Sequence, residues 1–143
     1  MNTENEKMLE IIKESLLKEK YSYYCVCSNI SDTVQKNLLK NYDETFPLNR
    51  LLAFFGKSKK GKEGIAFTND GIYNAMGKKV FYIHYADMEE IIVNDSSNLT
   101  IRSSNDQEWP ISVKIQADTF RDMLFQLKKI ESCILRNLDL LIH

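Results

Sequence analysis

The sequence predicts an α+β protein in which two N-terminal helices precede a seven-stranded antiparallel barrel, and one C-terminal helix caps that barrel. Two observations lead to this prediction. From Arg50 onward, short β-rich segments alternate with turn signals. After Ile115, the spacing of apolar residues changes from two to about 3.6, the helical value. The chain thus divides into a helical segment, residues 1–46, and a barrel with its helix, residues 47–143.

The first 46 residues are predicted to form two short amphipathic helices. Thr3 and Glu6 match a capping box, in which a hydroxyl and a carboxylate satisfy backbone donors at a helix start. Ser31 starts the second helix, and Pro47 follows its end because proline disfavours helix at the residue before it. The apolar faces comprise Met8, Leu9, Ile12 and Leu16 in the first helix and Val34, Leu38 and Tyr42 in the second. The tyrosine-rich residues 21–24 either continue the first helix or form an extended segment, and the sequence favours neither.

Seven strands follow, and each is bounded by residues that favour turns. They span residues 51–55, 64–68, 72–75, 80–85, 89–93, 99–103 and 109–115. Successive side chains of a strand point to opposite faces of the sheet. In the fourth strand, the odd-numbered residues 81–85 are predicted to point inward, and Tyr82 and His84 outward. Trp109 heads the last strand and is predicted to fill the core.

A long C-terminal helix is predicted to start at Asp118 or Thr119, because either residue can cap it. Its apolar stripe comprises Phe120, Met123, Leu124, Leu127, Ile130, Ile134, Leu138 and Leu141. Charged residues lie largely off the stripe, at Lys128, Lys129, Glu131 and Arg136. About 24 helical residues span roughly 36 Å, which exceeds a barrel mouth of about 20 Å. The last turns are therefore predicted to pack against the N-terminal helices or against a second copy of the chain.

Five apolar residues are predicted to form a protein interface. Phe125, Leu135 and Ile142 lie beside the stripe and widen the apolar arc of the helix beyond what one barrel needs to bury. Tyr73 and Tyr82 are predicted to point outward from the sheet, where they can form an aromatic patch. These residues favour contact with a protein partner or with a second copy of the chain.

Two segments resemble bacterial pleckstrin-homology-like domains. The first is GIAFTNDGIY at residues 64–73, an apolar strand followed by a threonine, a tight turn and then Gly-Ile-Tyr. The second is IHYADMEEI at residues 83–91, which is similar to the segment that enters the fifth strand of those domains. The resemblance covers about residues 50–137. It implies the barrel-and-helix fold, and the two segments themselves consist mostly of turn and core residues that do not indicate a ligand.

The loop between the first two strands is basic. Its lysines are Lys57, Lys59, Lys60 and Lys62. In lipid-binding pleckstrin-homology domains this loop binds inositol phosphates, because several ammonium groups converge on one phosphate cluster. The resemblance therefore implies a candidate site for anionic lipid headgroups. The family pattern continues with a basic residue in the second strand, whereas residues 65–68 of this chain contain none.

Other function classes find little support in the sequence. The net charge of −1 argues against a nucleic-acid binder, which usually needs a basic excess. His84 has no catalytic constellation beside it, so neither an enzyme activity nor a cofactor is expected. Cys25, Cys27 and Cys133 provide neither a disulfide framework nor the spacing of a zinc site. The polar, acidic N-terminus does not match a signal peptide, and a cytoplasmic location is predicted.

The sequence thus predicts a non-catalytic binding module, most favourably one for protein–protein interaction or self-association. The alternative is peripheral binding to anionic lipid headgroups through the basic loop. The first prediction rests on the wide apolar arc of the last helix, and the second rests on the position of the four lysines.

Overall fold

The structure is a computed structural model that describes residues 3–16, 24–27, 30–42, 46–58, 60, 63–76, 79–113 and 115–142. For Tyr24, Met76 and residues 134–142 it describes the backbone alone. The helices are α1 (Thr3–Leu16), α2 (Asp32–Asn41) and α3 (Ala117–Ile142), with single 3-10 turns at Leu48–Arg50 and Tyr85–Asp87. The strands are β1 (Tyr24–Cys27), β2 (Leu51–Gly56), β3 (Glu63–Thr68), β4 (Gly71–Met76), β5 (Lys79–His84), β6 (Met88–Val93), β7 (Asn98–Ser103) and β8 (Glu108–Ser112). None of the described helices combines the length and the apolar composition that crossing a membrane requires.

The strands form two antiparallel sheets. The larger sheet has the order β1-β2-β3-β4-β5, and the smaller sheet has the order β6-β7-β8. No strand pairing joins the two sheets within the described part of the chain. The α+β class is as predicted, but the prediction of a closed seven-stranded barrel is wrong.

Two features keep the barrel open: one edge of β2 is already paired, and β5 does not pair with β6. β1 pairs with the outer edge of β2, with Cys25 opposite Phe55, so that β8 cannot pair there. At the other end, the chain leaves β5 through the 3-10 turn Tyr85–Asp87, and β6 then pairs with β7. Tyr24 therefore begins a strand that the sequence left undecided, whereas residues 21–23 lie outside the described residues.

The main core is formed by one face of the larger sheet, the smaller sheet and the helices α1 and α3. Its fully buried side chains include Met8, Ile12, Phe67, Ile72, Tyr85, Met88, Ile101, Phe120, Leu124 and Leu127. The ring centroids of Phe67 and Phe120 lie 6.0 Å apart, which joins α3 to the larger sheet. The C-terminal helix packs on the strands of both sheets, although they form no barrel for it to cap, and α1 lies beside that helix.

A second core lies on the opposite face of the larger sheet, where α2 packs. Its buried members are Val34, Leu38, Tyr42, Phe46, Phe54, Ala66 and Ala75. The hydroxyl oxygen of Ser31 accepts a hydrogen bond from the N–H of Val34 at 3.4 Å, which confirms the predicted helix start. Because both faces of the larger sheet are covered, residues 52–56 of β2 are all buried, without the alternation of a one-sided strand.

The seven strands predicted after residue 50 lie within a few residues of the observed ones, although β8 ends three residues earlier than predicted. The predicted tight turn between β3 and β4 is present at Asn69 and Asp70. The Thr68 hydroxyl donates to Asp70 Oδ1 at 2.7 Å and accepts from the N–H of Gly71 at 3.1 Å. Asp70 also forms an ion pair with Arg50, which fixes the turn against the start of β2.

Candidate functional site

An open groove runs along α1 and α3. Its volume is about 460 Å³, and its lining includes Glu4, Ile11, Gln126, Lys129, Ile130 and Cys133. A second hollow along the same helix pair is lined in part by Glu14, Thr119 and Asp122. Since the start of α1 faces Cys133 and its end faces Thr119, the two helices are antiparallel. The groove combines apolar side chains with charges of both signs.

Phe125 is an exposed aromatic residue on α3, next to this groove. It is 41% exposed, and Ile92 is the other large apolar residue that is exposed in the described part of the chain. A hollow of about 390 Å³ beside it is lined by Phe125, Gln126, Lys128, Lys129 and Ser132. The structure therefore places this predicted interface residue on the surface. The side chains of Leu135 and Ile142, predicted for the same interface, lie outside the described residues.

The end of α3 extends past the residues that face α1. Glu4, in the first turn of α1, lines the same groove as Cys133, and α3 continues for nine further residues, 134–142. Nine helical residues correspond to roughly 13 Å. Six of them are apolar, namely Ile134, Leu135, Leu138, Leu140, Leu141 and Ile142. The apolar stripe that packs on the sheets therefore continues in the sequence past Cys133.

Tyr73 and Tyr82 are cross-strand neighbours on β4 and β5, as their predicted common patch requires. Their ring centroids lie 4.3 Å apart. Phe46 packs on Tyr73 at 4.8 Å, and the Tyr82 hydroxyl lies 2.9 Å from His84 Nδ1. Both tyrosines are half-buried, and Tyr73 packs against the second core, whereas Phe125 lies on a helix of the main core. The predicted interface residues therefore occupy two separate surfaces.

The basic loop is described in part. Lys57 is exposed, and its ammonium lies 3.9 Å from the carboxylate of Glu63. Lys60 is also exposed, and its carbonyl oxygen accepts a hydrogen bond from Asn41 Nδ2 at 2.7 Å, which attaches the loop to the end of α2. Lys59 and Lys62 lie outside the described residues. The described part of the loop thus presents two exposed cations with one acidic neighbour.

A polar cavity of about 190 Å³ lies where β5 meets the turn between β7 and β8. We name it the Trp109 pocket, and its lining includes Tyr82, His84, Asp87, Asn105, Gln107 and Trp109. Trp109 is half-buried against the main core, and its ring stacks on Phe81 with centroids 4.8 Å apart. Trp109 therefore packs against the core, and its indole Nε1–H is a buried donor without an acceptor among the described residues.

Glu131 is a buried carboxyl group that the sequence did not reveal. It is only 7% exposed, so the prediction that it lies off the apolar stripe is wrong. Its Oε1 accepts a hydrogen bond from the N–H of Ala86 at 3.1 Å, which joins α3 to the 3-10 turn after β5. Burial raises the pKa of Glu131 to about 7, and the charges of Asp70 and Asp87 raise it too, against the effect of the Ala86 hydrogen bond. Four-residue spacing from buried Leu127 was the one available signal.

Cys25 and Cys27 lie on the same face of β1. A hydrogen bond between their side chains lowers the pKa of the Cys27 thiol, which Lys13 lowers further, and raises the pKa of Cys25. Both residues are half-buried against the main core, and neither they nor Cys133 form a disulfide bond. The described residues contain no group of three or more side chains suited to hold a metal ion.

Comparison with known proteins adds no assignment to these surfaces. No family model, curated protein or solved structure matches the chain. Membership of the bacterial pleckstrin-homology-like family therefore stays a prediction, based on residues 64–73 and 83–91.

Proposed function

We propose that the chain is a non-catalytic interaction module that associates with a second copy of itself through α1 and α3. The observation that supports this proposal is the apolar end of α3, residues 134–142, which continues past the start of α1. Burying one leucine side chain is worth roughly 1.5–3 kcal/mol, so burial of a stripe of this length against another protein surface is favourable. Phe125, which is exposed on the same helix, adds to the apolar surface that a partner would bury.

The groove on α1 and α3 of a second copy is a suitable binding surface for residues 134–142. In a two-fold symmetric pair, each copy presents the same surface to the other. Because the groove ends at Cys133 and the apolar end begins at the next residue, an axis near Cys133 would lay the end of each α3 along the groove of the other copy. Ile11 and Ile130 of the groove would then contact the apolar stripe. Arg136 and Asp139 give residues 134–142 charges of both signs, as Glu4 and Lys129 give the groove.

The full chain is expected to form a dimer in solution, and Phe125→Glu is expected to raise the dimer dissociation constant at least about tenfold. The substitution places a carboxylate where the partner's helix would bury an aromatic ring, and a buried unpaired charge is strongly unfavourable. Leu138→Glu, within the end of α3, is expected to act in the same direction. Sedimentation velocity over concentrations of about 1–200 µM measures the constant for each protein.

The matched control for this experiment is Ile92→Glu. Ile92 is exposed to a similar extent, 38% against 41%, but it lies on β6 in the smaller sheet. The Ile92→Glu substitution is expected to leave the dimer dissociation constant unchanged. A wild-type chain that remains monomeric at about 200 µM would contradict the proposal. So would an equal loss of association in the Ile92 and Phe125 variants.

Peripheral binding to anionic lipid headgroups is a second candidate function, supported by the exposure of Lys57 and Lys60 in the basic loop. Each lysine close to an anionic membrane contributes about 1 kcal/mol of attraction. The double substitution Lys57→Ala/Lys60→Ala is therefore expected to weaken binding to phosphatidylserine vesicles about 10- to 30-fold at low salt. Pelleting with the vesicles and fitting of the bound fraction measures this change.

Lys36→Ala/Lys79→Ala is the control for the vesicle experiment, because it removes two exposed lysines outside the loop. An equal loss in both double variants would mean that binding follows total charge and not the loop. A wild-type chain that does not pellet with anionic vesicles would remove the lipid candidate and leave the self-association proposal standing.

The proposed location is the cytoplasm. The three cysteines form no disulfide bond, Cys133 is exposed, and thiols persist in reducing compartments. A module that associates through an apolar helix surface is compatible with that setting.

A further inference from the structure

Cys25 and Cys27 place two sulfur atoms side by side on β1, the strand at one end of the larger sheet. Residues two apart in a strand project from the same face, and the side chains of the two cysteines are hydrogen-bonded to each other. Both residues keep part of their surface accessible, whereas their cross-strand neighbours Phe55 and Ala53 are buried. The pair is therefore a preformed dithiol at the border of the main core.

A direct disulfide bond does not suit this pair. Two steps along a strand cover about 6.6–6.8 Å, which is the upper end of the Cα separations found in disulfides. The pairing of Cys25 with Phe55 and of Cys27 with Ala53 holds β1 in that extended form. An ion between the two sulfurs removes the difficulty, because the sulfurs then need not come into bonding contact. The strand geometry thus favours a bridging ion over a disulfide.

The number of available ligands selects among the metals that prefer thiolates, which are mainly Cu⁺, Zn²⁺ and the iron of iron–sulfur clusters. A structural zinc ion takes four ligands, and the described residues contain no group of three or more suitable side chains. An iron–sulfur cluster is commonly held by four cysteines, and the chain has three. Cu⁺ is satisfied by two thiolates in a linear arrangement, because its filled d shell demands no higher coordination number.

Cys133 lies apart from the pair. It lines the groove together with Glu4, in the first turn of α1. Lys13, whose charge acts on Cys27, follows Glu4 by nine residues in the same helix, which corresponds to roughly 13 Å along the helix axis. The third thiol of the chain therefore serves as an internal control for the other two.

We propose that Cys25 and Cys27 bind one Cu⁺ ion between their two sulfurs. Each sulfur gives up its proton and donates one electron pair to the metal, and copper enters and stays as Cu⁺, so that no oxidant or reductant is needed. The resulting complex carries one negative charge, which the nearby ammonium of Lys13 offsets. The hydrogen bond from Cys25 and the charge of Lys13 lower the pKa of the Cys27 thiol against the effect of burial, which favours the thiolate that a metal requires.

The test is a competition titration of the reduced full chain, without oxygen, against Cu⁺ held by the chelator bicinchoninate. The wild type is expected to take one Cu⁺ ion per chain from the chelator. Cys25→Ser and Cys27→Ser are each expected to weaken Cu⁺ binding at least about tenfold. Cys133→Ser is the matched control, because it removes an exposed thiol on α3 and is expected to leave the affinity and the stoichiometry unchanged.

A second pair of substitutions tests whether the folded arrangement of α1 and β1 contributes. Lys13→Gln is expected to weaken Cu⁺ binding about threefold, the effect of one charge several ångströms away in water-like surroundings. Lys7→Gln, which removes an exposed lysine nearer the start of α1, is expected to have no effect. X-ray absorption at the copper edge of the loaded Cys133→Ser protein is expected to show two sulfur neighbours, and this measurement does not require the variants of the pair to fold.

Two results would overturn the copper proposal. One is a wild-type chain that leaves all the Cu⁺ on the chelator. The other is a loss in Cys133→Ser equal to that in Cys27→Ser, with half an ion bound per wild-type chain, which would mean that Cys133 holds copper between two copies. Sedimentation velocity measures self-association in the absence of copper, so the failure of this proposal and the failure of the self-association proposal are distinguishable.

Discussion

Replacing Ile91 by alanine is expected to lower the free energy of unfolding by about 2–4 kcal/mol, whereas Ile92→Ala is expected to cost less than about 1 kcal/mol. The two residues are neighbours in β6, but Ile91 is 6% exposed in the main core and Ile92 is 38% exposed. Truncating Ile91 leaves a cavity that its packed neighbours fill only in part, whereas water replaces the atoms lost at Ile92. Urea denaturation followed by far-ultraviolet circular dichroism measures both values.

Ile91→Val provides an internal scale, because it removes one methyl group from the same site and is expected to cost about 0.5–1.5 kcal/mol. Equal losses at Ile91 and Ile92 would show that both faces of the smaller sheet are covered. That result would contradict the described arrangement, in which the outer face of β6 meets solvent at Ile92.

Glu131→Gln is expected to raise the free energy of unfolding at pH 8 by about 1–3 kcal/mol and to change it little at pH 5. The pKa of Glu131 is about 7 in the folded chain against an ordinary value of 4.5, so the folded state holds the proton more tightly than the unfolded state. The associated stabilisation, roughly 3 kcal/mol at most, is complete below the ordinary pKa and is lost as the pH rises through about 7. Glutamine stays neutral and can still accept the hydrogen bond from Ala86. Urea denaturation at pH 5, 6, 7 and 8 compares the two proteins.

Glu89→Gln is the control for the pH series, since Glu89 is exposed on β6. It is expected to leave the dependence of unfolding free energy on pH almost unchanged. A Glu131→Gln variant that is less stable than the wild type at pH 8 would show that the ionised carboxylate is favourable at this site. The assignment of a raised pKa would then be wrong.

The elements of the fold were predictable because each leaves a local trace in the sequence. The alternation of Ile111 and Val113 and the helical spacing of Phe120, Met123 and Leu127 are set by backbone geometry over a few residues. The cap at Ser31 and the turn at Asn69 and Asp70 are equally local, and the structure contains both.

The pairing of strand edges was not predictable in this way. Which strand lies beside β2 depends on contacts between distant parts of the chain, and β1 is only four residues long. The sequence did not assign Val26 to a strand, so it could not indicate that Val26 and Phe54 are cross-strand neighbours. The prediction of a barrel was wrong because it required a particular pairing of strand edges. The strand positions did not depend on that pairing.

The candidate sites show the same difference: a site on one helix was predictable from the sequence, and a site built from distant segments was not. Exposed Phe125 follows from its place beside a helical stripe, so one helix was enough to identify it. The Trp109 pocket combines β5, a 3-10 turn and β8, and these segments form no common motif in the sequence. Glu131 was missed because a charged residue is normally expected on the surface, and only the fold shows that Ala86 offers it a hydrogen bond.

The position of β1 affects how strongly the chain is protected against aggregation through the edge of β2. β2 has the sequence Leu-Leu-Ala-Phe-Phe-Gly, which is uncharged and rich in residues that favour strands. An unprotected strand of this kind exposes a row of unpaired amide and carbonyl groups and acts as a template for amyloid-like stacking. β1 pairs with Ala53–Gly56 and so occupies that template from within the same molecule. Pairing with β1 thus keeps this edge of β2 from pairing with another molecule.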